Sequence, residues 1–147
     1  MELFGRGRPT ENGGVHVCKV RVLLADDHQE VIASVCGTLC EEFEIVGAVE
    51  NGNQAVSAVL TLDPDVLVTD ISMPFLDGLQ AATKIQKVNR RTKIIFLTIH
   101  EDPDFIAAAF KAGASGYVTK ARLSLDLILA IHEVLKGHTF VSKSIVM

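Results

Sequence analysis

The sequence predicts an open, doubly wound α/β sheet, and three observations carry that expectation. Short, almost wholly apolar runs alternate with longer segments whose apolar residues recur at helical spacing. That alternation repeats five times between Lys19 and Gly137. The chain is also the length of one domain: 147 residues, 48% apolar and 22% charged, enough for a core without disulfide or metal support.

The same composition excludes several classes. A net charge of −4, from 14 basic and 18 acidic residues, is not the footprint of a nucleic-acid binder. Three cysteines are too few, and odd in number, for a secreted disulfide scaffold. No apolar run approaches the roughly 18 residues of a membrane span. The N-terminus lacks the apolar stretch of a secretory signal. The expected setting is cytoplasmic, with no membrane partner.

Residues 1–17 scatter Gly5, Gly7, Pro9, Gly13 and Gly14 among polar residues with no period, so a flexible leader is expected. Val20, Val22, Leu23, Leu24 and Ala25 then read as a strand buried on both faces. Val31, Ile32, Val35, Cys36 and Leu39 fall on one stripe of a helix. Glu44 to Val49 is the second strand, followed by a helix from Asn53 to Leu62 that Asp63-Pro64 ends. Val66 to Thr69 is the third strand. A loop with Met73-Pro74 and an Asp77-Gly78 turn leads to a helix from Leu79 to Val88. Ile94 to Leu97 is the fourth strand, and Gly113 closes a helix from Asp104 to Lys111. Tyr117 to Thr119 is the fifth strand. Ser124 is the expected N-cap of a last helix that reaches Lys136 and stops at Gly137. Leu127, Ile128, Ile131 and Leu135 form its core stripe. Leu125 and Leu129 lie opposite and predict a partner surface, for a second copy or a docked domain.

Strict alternation forces parallel pairing through right-handed helical crossovers, with helices on both faces. In such sheets function gathers outside the carboxyl ends of the strands. Those ends carry Asp26-Asp27, Asp70, Thr98 and Lys120, while the second offers only Glu50, Asn51 and Gly52. Taken singly, each has an ordinary reading: an Asp after a strand caps a helix, and a Lys is a solvated charge. Together they place three carboxylates, a hydroxyl and an ammonium on one rim.

Two carboxylates about 5 Å apart repel by roughly 3 kcal/mol at an effective dielectric near 20. Either the cluster holds protons at raised pKa or a divalent cation neutralises it. All-oxygen donors favour Mg²⁺ over zinc or copper. Lys120 and Thr98 add a charge and a donor, which suits a phosphoryl group. No GxxxxGK[ST] or GxGxxG loop supports a nucleotide. Asp70 is the better nucleophile, because the loop Ile71-Ser72-Met73-Pro74 can lend a carbonyl to the same cation. The adjacent Asp26 and Asp27 cannot both point one way and suit metal coordination. A carboxylate nucleophile forms an acyl phosphate.

The segments LLADDH at 23–28, LVTDISMPFLDGL at 67–79, FLTIH at 96–100 and AGASGYVTK at 112–120 resemble the receiver domain of two-component response regulators. The resemblance implies a flavodoxin-like (βα)5 fold with strand order 2-1-3-4-5 over residues 19–137. It implies that Asp70 is phosphorylated by a histidine kinase, and that Asp27, Asp70 and the Ser72 carbonyl hold Mg²⁺, with Asp26 acting through water. Lys120 would pair with the phosphoryl group, Thr98 would be the switch hydroxyl and Tyr117 the aromatic that follows it. Such a chain is a signalling phosphoacceptor that catalyses its own phosphorylation and dephosphorylation, not a turnover enzyme. Asp26-Asp27-His28 and Thr98-Ile99-His100 are similar to the NarL/FixJ-type subgroup. Residues 138–147 would then begin a linker to a helix-turn-helix output domain absent from this chain, through which alone DNA would be bound. Ala121 stands where many receivers have Pro. Ile99 is bulkier than the usual small residue, which implies restricted access by small phosphodonors. A Mg²⁺-dependent phosphohydrolase is the competing reading, but Ser72 stands where its second acid belongs. A degenerate receiver is disfavoured because every chemical position is filled.

Four further expectations concern bystanders. His28 and His100 are polar rim residues, Cys36 and Cys40 pack, and Met73 and Phe75, in the loop after Asp70, serve packing rather than recognition. The helix-5 pair Leu125 and Leu129 is the candidate homodimer surface.

Overall fold

A computed structural model describes residues 19–143; the leader expected at 1–17 and residues 144–147 of the expected linker lie outside the described residues. The strands are β1 (Arg21–Ala25), β2 (Glu44–Val49), β3 (Val66–Thr69), β4 (Lys93–Thr98), β5 (Gly116–Thr119) and β6 (Phe140–Val141). The helices are α1 (Gln29–Leu39), α2 (Gly52–Leu62), α3 (Gly78–Val88), α4 (Pro103–Lys111) and α5 (Leu123–Leu135). All strands are parallel, in the order β2-β1-β3-β4-β5-β6. The expected order 2-1-3-4-5 holds and gains one strand at its edge.

Period two along each strand splits the core into two layers. Val22 and Leu24 of β1 pack with Val35, Leu39, Leu127 and Ile131 on the α1 and α5 side. Leu23 and Ala25 pack with Ala55, Val59, Ala82, Ile85 and Ile106 under α2, α3 and α4. Both faces of β1 are therefore buried, which is why its sequence shows no polar alternation.

Local chemistry fixes the helix starts. Asn51 accepts a hydrogen bond from the Gln54 amide and starts α2. Asp77 and Gln80 form a reciprocal capping box that starts α3, so this turn is a built N-terminus. Asp102 caps α4, with Pro103 in the first turn.

The structure corrects several expectations. Ser124 does not start α5. A 3-10 turn at Lys120–Arg122 leads directly into Leu123, and no side chain caps it. Instead the Arg122 guanidinium reaches forward to Asp126, with Nε 2.7 Å from Oδ2. Burial pushes the Asp126 carboxyl up, but hydrogen bonds from Arg122 and Ser142 outweigh it and hold it below the usual range. The buried face is Asp126, Leu127, Ala130, Ile131 and Val134, while Leu135 is exposed, because helical drift carries it off the stripe. Leu125 and Leu129 are exposed, as expected. Cys40 is exposed rather than packed; Cys36 is partly buried against the core, and both are free thiols. Met73 is buried, but Phe75 is 86% exposed at a φ of 69°, a left-handed turn that throws its ring outward.

Residues 138–143, expected as linker, turn back at Gly137 (φ 90°) and pair Gly116↔Phe140 and Tyr117↔Val141. Ser142 fastens the end: its amide donates to the Tyr117 carbonyl and its Oγ accepts the Thr119 amide at 3.1 Å. Among the described residues, no helix is long and apolar enough to cross a membrane.

Candidate functional site

The sheet register assembles the rim. Ala25 pairs with Thr69, so the residues that follow, Asp26 and Asp70, leave neighbouring strands side by side. The backbone holds both: the Asp26 amide donates to the Val49 carbonyl at 3.0 Å and the Asp70 amide to the Ala25 carbonyl at 2.9 Å. Both residues are buried, and Asp27 is exposed. Lys120, leaving β5 in the 3-10 turn, bridges them with Nζ 3.0 Å from Asp26 Oδ2 and 3.1 Å from Asp70 Oδ2. Asp70 Oδ1 accepts the Ile71 amide at 2.7 Å. Burial lowers the Lys120 pKa, but hydrogen bonds and charge from Asp26 and Asp70 outweigh it, so the ammonium is held above its ordinary range.

A cleft of about 370 Å³ opens above this pair. Asp70 and Lys120 line it with Val31, Ile99, Ser72 and the two histidines His28 and His100. Ile99 is 72% exposed, so it stands at the mouth of the cleft. Although adjacent in sequence, Asp26 and Asp27 do not diverge. Each brings a carboxylate oxygen into a group with Asp70 and His28 whose candidate ligand atoms lie within 4.8 Å of one another. Three converging carboxylates suit a hard dication.

Thr98 ends β4 fully buried, and its Oγ1 accepts the His100 amide at 3.3 Å. Tyr117 is buried in β5, and its hydroxyl donates to the His100 carbonyl at 2.8 Å. The His100 ring stacks on Phe105 with centroids 4.2 Å apart, and its Nε2 is 3.2 Å from Ser72 Oγ. Thr98, His100 and Tyr117 thus form one connected unit. The His100 backbone is its hub, while the His100 ring lines the cleft as the expected polar rim residue. Sequence reading missed this because the link runs through the His100 backbone, which any residue type supplies.

Burial, then the charges of Asp70, Asp102 and Glu101, pushes the Tyr117 phenol up to about 12 from 10.0. The chain has one tyrosine and no tryptophan, so an ultraviolet pH titration reads this group alone. The expected midpoint is near 12 in the folded protein. Because the folded pKa is the higher one, the associated stability is complete below pH 10 and drains away between pH 10 and about 12. A folded-state midpoint near 10 would show that the phenol is solvated rather than buried.

Residues 22–132 match the family model for the response regulator receiver domain. The oxygen regulatory protein NreC of Staphylococcus haemolyticus is 35% identical over 125 residues, covering 83% of this chain and 58% of that protein. The response regulator UvrY of Escherichia coli is 34% identical over 128 residues, covering 86% of this chain and 59% of that protein. The chain therefore spans somewhat under three-fifths of the length of these two relatives. A crystal structure of a LuxR-family two-component response regulator from Aurantimonas sp. superposes with a TM-score of 0.81 at 31% identity, covering 86% of this chain and 92% of that one. The receiver domain of a NarL response regulator from Mycobacterium tuberculosis does so with a TM-score of 0.78 at 28% identity, covering 82% and 98%. With the sheet order, the acidic rim and these likenesses in agreement, the chain belongs to the receiver domains of two-component response regulators, in the company of their LuxR-family members.

Proposed function

We propose that Asp70 accepts a phosphoryl group from a histidine kinase. The observation that carries this reading is the state of the Asp70 carboxylate. It lines an open cleft, one oxygen on an ammonium and the other on a backbone amide, with two further carboxylates beside it. A phosphohistidine N–P bond breaks as an O–P bond forms to Asp70, leaving an acyl phosphate and a free imidazole. Lys120 balances the charge that builds on the transferred oxygens. Asp27, Asp70 and the Ser72 carbonyl would hold Mg²⁺, with Asp26 acting through water; the ion supplies charge neutralisation that brings phosphoryl and carboxylate together. The same groups serve dephosphorylation, in which a water oxygen bonds to phosphorus as the O–P bond to Asp70 breaks, releasing inorganic phosphate and restoring the carboxylate, so the domain catalyses its own phosphorylation and dephosphorylation as a signal carrier.

The switch is the Thr98–His100–Tyr117 unit. A Thr98 hydroxyl drawn toward the phosphoryl group gives up the His100 amide, and the His100 carbonyl is what holds the Tyr117 phenol. The receiver unit is residues 19–137 with β6 added at its edge. Leu125 and Leu129 on α5 are the face offered to a second copy, and DNA is reached only through an output domain of the kind its relatives' extra length leaves room for.

Intact-mass spectrometry tests this reading after incubation with Mg²⁺ and a phosphoramidate donor. The expected result is one added phosphoryl group, absent in Asp70→Asn. An adduct that survives in Asp70→Asn, or repeated turnover of a phosphate ester with no adduct at all, would overturn it.

A further inference from the structure

Resting on the reading of Asp70 as a phosphoacceptor, we propose that Ser142, Asp126 and Arg122 are positioning residues for Lys120. The docked edge strand β6 then sets the rate at which Asp70 takes up its phosphoryl group. All three residues act through the turn that carries Lys120 rather than on the reacting atoms.

That turn, Lys120–Arg122, is gripped at both ends. Ahead of it, the Thr119 amide donates to Ser142 Oγ at 3.1 Å. At its far end the Arg122 guanidinium forks onto Asp126, with Nε 2.7 Å from Oδ2 and Nη2 3.3 Å from Oδ1. The two grips meet in one place, because the Ser142 hydroxyl donates to the Asp126 carboxylate while its oxygen accepts the Thr119 amide. Between them the turn is closed by the Leu123 amide donating to the Lys120 carbonyl.

Both shared partners are out of solvent, Asp126 at 4% and Ser142 at 1% exposure. A buried ion pair is a poor device for stability alone, since apolar side chains of similar volume often serve as well or better. What the carboxylate adds is direction, by holding a guanidinium in a plane with two parallel bonds. The strand that delivers Ser142 is short. Phe140 and Val141 are all of β6, and the Ser142 amide donates to the Tyr117 carbonyl at 2.9 Å. When residues 140–142 leave, β5 becomes the edge of the sheet, and Thr119 and Asp126 lose the same partner together. Lys120 has little slack to absorb this, because its Nζ spans two carboxylates at 3.0 and 3.1 Å. Phosphoryl transfer is mainly placement and charge neutralisation, and a misplacement of about 1 Å costs about 100-fold.

The test follows phosphoryl uptake by intact mass over a series of phosphoramidate concentrations at fixed MgCl₂. It uses the full chain in the natural sequence, in Ser142→Ala and in Ser142→Thr. The expected maximal rate in Ser142→Ala is lower by about tenfold, as for a partial misplacement, with the half-saturating donor concentration held within about twofold. Ser142→Thr keeps the hydroxyl and is expected to recover the natural rate. In NMR spectra taken before any donor is added, the side-chain signal that Lys120→Ala removes is expected to shift in Ser142→Ala. Should Ser142→Ala fail to fold, Arg122→Ala takes its place, since that side chain is partly exposed and holds the other end of the turn. An unchanged maximal rate, a loss that Ser142→Thr shares, or a Lys120 signal that stays in place would overturn the proposal, while uptake by the natural chain leaves the reading of Asp70 standing. Absence of an adduct in every protein, the natural sequence included, would overturn that reading and the proposal with it.

Discussion

Lys120→Ala is expected to cost about 3 kcal/mol of stability at neutral pH in buffer free of divalent cations. The ammonium is only 15% exposed and sits between two carboxylates whose side chains are 5% and 6% exposed. Removing one partner of a buried ion pair costs about 3–5 kcal/mol, because the remaining charge loses its compensation. Water in the open cleft brings the expectation to the lower end of that range. Adding MgCl₂ is expected to restore part of the loss in the variant, since a dication replaces the missing charge. The sign with pH follows from the direction of the Lys120 shift. Its folded pKa lies above 10.5, so the pairing contributes fully below pH 10.5 and is lost as pH climbs through the raised value. Urea unfolding followed by circular dichroism, with and without MgCl₂, measures all of this. Coincident curves for the two proteins would mean that desolvation of the three charges cancels their attraction.

Gly78→Ala is expected to be comparably damaging, by a different route. A Cβ at Gly78 would lie 2.0 Å from the carbonyl oxygen of Asp70 and 3.0 Å from the Ile71 Cα. These are backbone atoms with no rotamer to yield. The position has no positive φ, so the conflict is one of space rather than torsion. The Gly78 amide also donates to the Ile71 carbonyl at 2.7 Å, so the first turn of α3 rests directly on the backbone that carries Asp70. Overpacking of this kind costs about 1–3 kcal/mol, and a clash between two backbones belongs at the top of that range. Thermal unfolding is expected to show that loss, and intact-mass analysis a reduced phosphoryl adduct, because relief of the clash must move Asp70. Gly37→Ala is the control: nothing lies within 4 Å of its Cβ, and alanine is the better helix former by roughly 1 kcal/mol. If both variants unfolded alike, the close approach at Gly78 would have no energetic meaning.

Much of this architecture was legible in the sequence because it follows from repeating patterns. Strands buried on two faces leave continuous apolar runs, and Val22 to Ala25 is such a run. The rim residues were legible because parallel topology brings every carboxyl end to one edge, whatever lies between. What escaped detection has no period. Two residues, Phe140 and Val141, are too few to show alternation. The start of α5 follows the 3-10 turn at Lys120–Arg122, which runs straight into Leu123 and leaves Ser124 already inside the helix, where it has no cap to make. The outward turn at Phe75 depends on a positive φ that a bulky residue rarely adopts. The pressure of Gly78 on Asp70 exists only in three dimensions, and so does the approach of His28 to both neighbouring carboxylates.

The orientation of the edge strand has a geometric outcome. Because Phe140 and Val141 run in the same direction as β5, the polypeptide departs from the sheet on the rim that holds Asp70, not on the far side. An antiparallel return would have sent it to the opposite pole. Ser142 is tied to the Thr119 amide, one peptide unit from Lys120. Ser142 thereby couples the end of the edge strand to the strand end from which Lys120 reaches Asp26 and Asp70.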